Sequence, residues 1–307
     1  MLPDKNALIA IVGATGVGKS ALALALAPRI GGEIISCDSM QVYKGFDIGT
    51  NKPSAEDRKK VPHHLLDILD GTAQFTAADF AALAFNAIIA IGRRGGLPLV
   101  VGGTGLYFKA LLDGLFPGPG RDETVRRALD REAQEHGLDH LWKQLEAVDP
   151  TYAKKIGSND RVRIIRALEV YAVTGVPLST HFGRTQSRLQ DYVALKIGLQ
   201  WEREELYRTI DARVDRMFER GLVEEVQALL ASGVGETAPP FKALGYKFVL
   251  SFLKGRVGLE EAVARTKIET RHYAKRQMTW FRKMDGVRWF RADDSEAIYA
   301  HIEQSLS

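Results

Sequence analysis

Eight consecutive residues carry the strongest chemical signal in the chain: Gly13, Ala14, Thr15, Gly16, Val17, Gly18, Lys19 and Ser20 fit G-x-x-x-x-G-K-[ST]. Glycines at this spacing let the backbone wrap its N–H groups around an anion, and a helix starting at once adds favourable partial charge. Lys19 can then reach a terminal phosphate and Ser20 can ligate magnesium. A second reactive group, Asp38, follows the run Ile34-Ile35-Ser36-Cys37. Together these residues describe a site for a di- or triphosphate with a carboxylate close by.

The flanking segments suit that chemistry. Residues 7–12 form a continuous apolar run of strand length, and residues 21–27 have strong helix propensity and stop at Pro28. A second strand over 33–37 places Asp38 beyond a strand's carboxyl end, where ligands sit in an open parallel sheet. Residues 44–74 read as loop-rich, and the pair His63-His64 as structural. Thr76 with Asp79 gives a capping box that opens a helix to about residue 91. A third strand over 97–101 ends in Gly102-Gly103-Thr104-Gly105, where many ATPases would carry an acid. The glycines there imply a close backbone approach.

From 116 to 190 the composition changes. Phe116-Pro117-Gly118-Pro119-Gly120 is a break, and helices follow over 124–136, 138–148 and 160–174, the first and third carrying arginines including Arg126, Arg163 and Arg166. Such a block suits either a polyanion or water. Strand character returns over 194–199. A helical stretch over 203–231 is broken at Gly221, further helices are expected from 241 and over 259–284, and 287–290 is a last strand. On the 259–284 helix Lys267, Arg271, Lys275 and Arg282 share one face, and Tyr273, Trp280 and Met284 another that is expected to be buried. The expected fold is therefore α/β: a P-loop NTPase-like core with a parallel sheet and an inserted α-helical domain. Residues 1–115 and 191–307 form the core, and 116–190 the insertion.

Of the 307 residues 45% are hydrophobic and 26% charged, which suits a globular protein with a sizeable core and excludes a disordered one. The single cysteine, Cys37, rules out an internal disulfide and a cysteine zinc site, consistent with a reducing cytoplasm. No apolar stretch reads as a signal peptide or a bilayer span. The net charge of +4 discriminates little. On residues alone a small-molecule kinase and a transferase that releases diphosphate remain equally open.

Several strings taken together resemble bacterial tRNA dimethylallyltransferases: residues 34–44 (IISCDSMQVYK), 47–53 (DIGTNKP), 62–64 (PHH), 102–107 (GGTGLY), 163–170 (RIIRALEV), 243–247 (ALGYK) and 275–282 (KRQMTWFR). The resemblance implies transfer of a dimethylallyl group from dimethylallyl diphosphate to the exocyclic amine of the adenosine immediately 3′ of the anticodon, in tRNAs reading codons that begin with U. It gives Asp38, Lys19 and Ser20 catalytic roles, with Mg2+ on Ser20. The whole loop from Gly13 to Ser20, with Arg213, would hold the donor's diphosphate. The anticodon stem-loop would meet Asp38, Ser39, Met40, Gln41, Thr104 and Arg126, then Val162, Arg163, Ile164, Ile165 and Arg166. Further RNA contacts are implied at Lys242, Ala243, Leu244, Gly245, Tyr246 and Lys247, and at Lys275, Arg276, Gln277, Met278, Thr279, Trp280, Phe281 and Arg282.

The resemblance implies a monomer, and a cytoplasmic protein with no membrane partner is expected from the cysteine count and the apolar stretches. Two departures stand out: Val162 precedes Arg163 where the family has a polar residue, and Thr209 stands where it has arginine, with Arg208 one place earlier. An adenylate dimethylallyltransferase, a kinase and a non-catalytic RNA-binding module are the competing readings.

Overall fold

A computed structural model describes residues 6–116, 118–182, 185 and 187–306, apart from the Leu306 side chain. Pro117, within the expected break, lies outside the described residues. The chain divides into two compact units, Met1–Leu112 with Arg188–Ser307 and Asp113–Ser187.

In the first unit six parallel strands form one sheet: β1 (Asn6–Gly13), β2 (Gly32–Cys37), β3 (His63–His64), β4 (Leu97–Gly102), β5 (Tyr192–Gln200) and β6 (Val287–Arg291), in the order β3-β2-β4-β1-β5-β6. The apolar run of β1 is explained by its position. Ile9 and Ile11 enter the core on one face while Leu8, Ala10 and Val12 enter the core on the other, so a central parallel strand has no wet side. Between β1 and β2 in space lies β4, so the chain leaves β1, skips a place and returns. The resulting crevice lies beyond the strand ends, where both the P-loop and Asp38 emerge.

The helices before the second unit are α1 (Lys19–Leu26), α2 (Ala55–Lys60), α3 (Ala77–Arg93) and α4 (Gly105–Leu112). The Thr76–Asp79 capping box opens α3 as expected. The segment read as loop holds two elements, α2 with its Ser54–Asp57 capping box and the edge strand β3, which pairs with Ile34 and Ile35. Both are too short for periodicity to reveal.

The second unit comprises α5 (Glu123–His136), α6 (Leu138–Val148), α7 (Pro150–Ala153), α8 (Arg161–Thr174) and α9 (Leu178–His181), around a core that includes Leu141, Leu145, Ile164 and Val170. The first unit then continues with α10 (Arg203–Glu219), α11 (Leu222–Ala231), α12 (Leu244–Leu253), α13 (Leu259–Phe281) and α14 (Ser295–Leu306). Gly221, at φ 92°, separates α10 from α11 in a left-handed conformation that favours glycine. No helix among the described residues is long and apolar enough to cross a membrane.

One expectation about α13 is overturned. Trp280 is 36% exposed and neither Tyr273 nor Met284 is buried; the buried residues include Thr266, Ala274, Gln277 and Phe281. The true inner stripe runs one position away from the aromatics, on the spacing of three and four that a straight helix requires. The basic face is also partly spent. Lys267 pairs with Asp215 at 2.6 Å, and Arg271 with Asp211, so two of its four cations bind α10 to α13.

Candidate active site

The P-loop closes on glycines at positive φ: 147° at Gly13, 82° at Gly16 and 102° at Gly18. A side chain at Gly13 would also lie 2.6 Å from the Leu199 carbonyl oxygen, so both backbone shape and space demand glycine there. Lys19 folds back over the loop, its Nζ donating to the carbonyls of Gly13 (2.9 Å) and Ala14 (2.6 Å). Burial, and then the nearby guanidinium of Arg213, lower its pKa to about 7, against the opposing pull of Asp38. Ser20, exposed at the start of α1, lines the same small cavity.

Thr15 is held from two directions. Its backbone N–H donates to Gln277 Oε1 at 2.8 Å, and its hydroxyl accepts from Arg213 Nη1 at 2.8 Å. Arg213 comes from α10, three residues after Ile210, whose side chain packs under Gly16. Thr209 turns its own hydroxyl to the Leu206 carbonyl (2.9 Å) and so has no role as a cation; Arg208 is exposed.

Asp38 caps the turn after β2: Oδ1 accepts from the amides of Met40 (2.8 Å) and Gln41 (3.3 Å), and Oδ2 has no hydrogen bond among the described residues. The Gln41 side chain is fully employed inside the protein. Its Oε1 accepts from Ser36 Oγ at 2.8 Å, and its Nε2 donates to the Thr50 and Asn51 carbonyls, each at 3.2 Å. Asn51 lies at φ 51°, and this amide helps hold that uncommon backbone.

Two adjoining cavities occupy the crevice. The smaller, about 80 Å³, is lined by Lys19, Ser20, Gly102 and Gly103; the larger, about 330 Å³, runs on to Val214, Met217, Leu244 and Gly245. Thr15, Asp38, Thr50, Arg213 and Tyr273 line both. A cavity lined by Lys19 and Arg213 therefore opens into a half-apolar chamber, with one carboxylate at the junction. This arrangement can hold an anionic leaving group apart from an apolar one and offer a proton acceptor between them.

The other sequence-derived positions divide sharply by burial. Ile164 and Ile165 lie in the core of the second unit, and Gly245, Tyr246, Gln277 and Phe281 are buried in the first, so no side chain of theirs faces solvent. Ser39, Met40, Thr104, Ala243, Leu244 and Met278 are half-buried, whereas Val162, Arg163, Lys242, Lys247, Lys275, Arg276, Thr279, Trp280 and Arg282 are exposed. Arg126 and Arg166 both ion-pair with the fully buried Glu169, at 2.8 and 2.7 Å.

Sequence reasoning missed several supporting groups. Glu225 of α11 accepts from the amides of Asp47 (3.0 Å), Ile48 (2.7 Å) and Gly49 (3.2 Å) and from the Tyr246 hydroxyl (2.5 Å). Lys52, buried, donates to the Tyr43 carbonyl and to Asp47 and Asp67. Tyr273 is the member that a signal could have found, because it stands one helical turn before Gln277 on the same face.

Comparison with known proteins gives the family. Residues 41–284 match the family model described as IPP transferase. The chain is 50% identical to the tRNA dimethylallyltransferase of Geobacter metallireducens over 286 residues, 93% of each chain. It is 49% identical over the full length to tRNA dimethylallyltransferase 1 of Citrifermentans bemidjiense. Among solved structures it is similar to the tRNA isopentenylpyrophosphate transferase of Bacillus halodurans, with TM-score 0.73, 42% identity and 98% and 97% coverage. It is also similar to a eukaryotic dimethylallyltransferase solved acting on tRNA, with TM-score 0.79 and 32% identity, over 98% of this chain and 77% of that one. With its P-loop opening onto an acid-lined, half-apolar chamber, the chain belongs to the IPP transferase family, the transferase family of the tRNA dimethylallyltransferases.

Proposed function

We propose that the protein transfers the dimethylallyl group of dimethylallyl diphosphate to the exocyclic amine of the adenosine immediately 3′ of the anticodon, in tRNAs that read codons beginning with U. The observation that carries this reading is the junction of the two cavities. The donor's diphosphate is assigned to the P-loop cavity, its hydrocarbon to the apolar end near Val214 and Met217, and the acceptor amine to the side of Asp38.

In the reaction the allylic C–O bond breaks with its electron pair passing to the diphosphate, the amine nitrogen bonds to the same carbon, and the amine proton leaves to Asp38 Oδ2. Loop amides, Lys19 and Arg213 stabilise the charge gathering on the leaving group. Ser20 fits a hard cation, because its hydroxyl has no hydrogen bond among the described residues and it lines the phosphate cavity. Magnesium, when bound with the donor, would neutralise diphosphate charge.

The target base lies in a single-stranded loop, from which it can be extruded into the crevice. Exposed cations at Lys242, Lys247, Lys275, Arg276 and Arg282 support a polyanionic acceptor, and in the second unit Arg163 does the same. We place the enzyme in the cytoplasm, acting as a monomer.

The test is incubation of the purified protein with labelled dimethylallyl diphosphate and either tRNA or AMP. Label should enter tRNA alone. Label in AMP alone would make the protein an adenylate dimethylallyltransferase, and phosphate transfer from ATP would make it a kinase.

A further inference from the structure

Gln277 is buried on α13, with both ends of its carboxamide engaged. Oε1 accepts from the Thr15 amide at 2.8 Å, and Nε2 donates to the Gly103 carbonyl at 2.8 Å. Only this orientation of the amide satisfies both partners. A Cβ on Gly103 would lie 2.3 Å from that Nε2, and one on Gly105 would lie 2.1 Å from the Trp280 ring. The glycines after β4 are thus explained by α13, which lays two side chains, one turn apart, onto the Gly103–Gly105 turn. That turn is tied in addition to the strand end beside Asp38, since the Thr104 amide donates to the Cys37 carbonyl at 3.4 Å.

We infer that Gln277 is a positioning residue, whose amide sets the P-loop at Thr15 against the β4 turn and so fixes the phosphate cradle relative to Asp38. This departs from the RNA contact that the family resemblance implies for Gln277. It rests on the proposed placement of the donor diphosphate in the P-loop. Without the bridge, Thr15 loses one of its two tethers, and the cradle must be ordered when the ligand binds, which weakens anion binding. RNA binding has no reason to change, because the side chain is enclosed.

The experiment compares wild type with Gln277→Leu, Gly103→Ala and the double variant, reading inorganic pyrophosphate affinity by calorimetry, tRNA affinity by filter binding and donor kcat/KM. Gln277→Leu is expected to weaken pyrophosphate binding about tenfold, with tRNA affinity held within about twofold. Gly103→Ala inserts a methyl where the amide lies and should reproduce that loss from the other side of the bridge. The double variant should be no worse than the poorer single one, because both changes remove the same contact. Unchanged pyrophosphate affinity, lost tRNA binding, or additive losses would overturn the inference. Should Gln277→Leu not fold, Gly103→Ala carries the same test. Because pyrophosphate binding needs neither prenyl donor nor RNA, a wild type that transfers no prenyl group would count against the proposed reaction and leave this measurement standing.

Discussion

Arg213 Nη1 donates to the Thr15 hydroxyl at 2.8 Å, joining α10 to the P-loop across 198 residues of sequence. Because the guanidinium donates, the Thr15 hydroxyl hydrogen is free to point elsewhere, and both residues line the junction of the two cavities. Replacing Arg213 with Gln removes a half-buried cation from the side to which the leaving group is assigned. We expect kcat for prenyl transfer to fall by about 10²–10³, the usual cost of losing one preorganised donor to developing negative charge. Steady-state kinetics with tRNA in excess checks this, and a change confined to tRNA affinity would remove Arg213 from the leaving-group side.

Lys19 gives a pH signature. Its pKa in the free protein is near 7, lowered by burial and by Arg213, whereas a bound diphosphate favours the charged amine. Below that pH the amine is already protonated and binding takes up no proton. Above it the free protein holds a neutral amine that must be charged, so binding draws a proton from solvent and affinity declines as pH rises. Calorimetry of pyrophosphate binding at pH 8 in buffers of different ionisation enthalpy should register proton uptake. At pH 6 that uptake by Lys19 should be gone, leaving only the protons that pyrophosphate itself releases.

Asp38 has a structural duty on Oδ1, and the proposed reaction gives it a chemical one on Oδ2. Asp38→Asn keeps an Oδ1 acceptor for the Met40 and Gln41 amides but replaces the proton-accepting oxygen with a donor. The expected result is a thermal midpoint close to wild type, tRNA binding retained, and kcat lower by about 10²–10⁴. Near-normal turnover would show that Asp38 has no part in proton removal.

Glu225 tests how the wall of the larger cavity is built. Its carboxylate holds three successive amides, at Asp47, Ile48 and Gly49, and a Cβ on Gly49 would strike the Tyr246 ring at 2.4 Å. Glu225→Ala leaves those amides and the Tyr246 hydroxyl without their acceptor, which should cost about 2–3 kcal/mol in urea unfolding. Gly49→Ala should be destabilising as well, through overlap with the ring.

What could be read from the sequence and what could not divide by distance along the chain. The P-loop, the β2–Asp38 turn, the Thr76–Asp79 capping box and the Gly221 break are local, and residues within a few positions specify each of them. Gln277, given an RNA contact by the resemblance, and Glu225 could not be read as tethers because their partners lie 262 and 176–178 residues away. The α13 cations show the same limit: periodicity put Lys267 and Arg271 on one face, but only the fold reveals that Asp215 and Asp211 cover it. Arg126 of the insertion looked free for a polyanion for that reason too, because Glu169 lies 43 residues away.

Glu169 lets the second unit be probed alone. This buried carboxylate accepts from Arg126 Nε (2.8 Å) and Nη2 (2.9 Å), from Arg166 Nη1 (2.7 Å) and from the Asp122 amide (2.7 Å). Burial alone would raise its pKa, but these hydrogen bonds outweigh that effect and hold it down at about 2, against 4.5 ordinarily. With the folded pKa depressed, the unfolded chain binds more protons as pH falls. The stabilisation is therefore complete above about pH 4.5 and is lost progressively toward pH 2; a shift of this size corresponds to roughly 3 kcal/mol. Glu169→Gln keeps the shape but leaves two arginines without a counter-charge, so it should destabilise the unit by about 3–5 kcal/mol at pH 7. Hydrogen exchange at the α5 and α8 amides should show protection falling there, with the amides of β1 and β4 unaffected. An equal loss of protection at β1 and β4 would mean that the two units unfold as one.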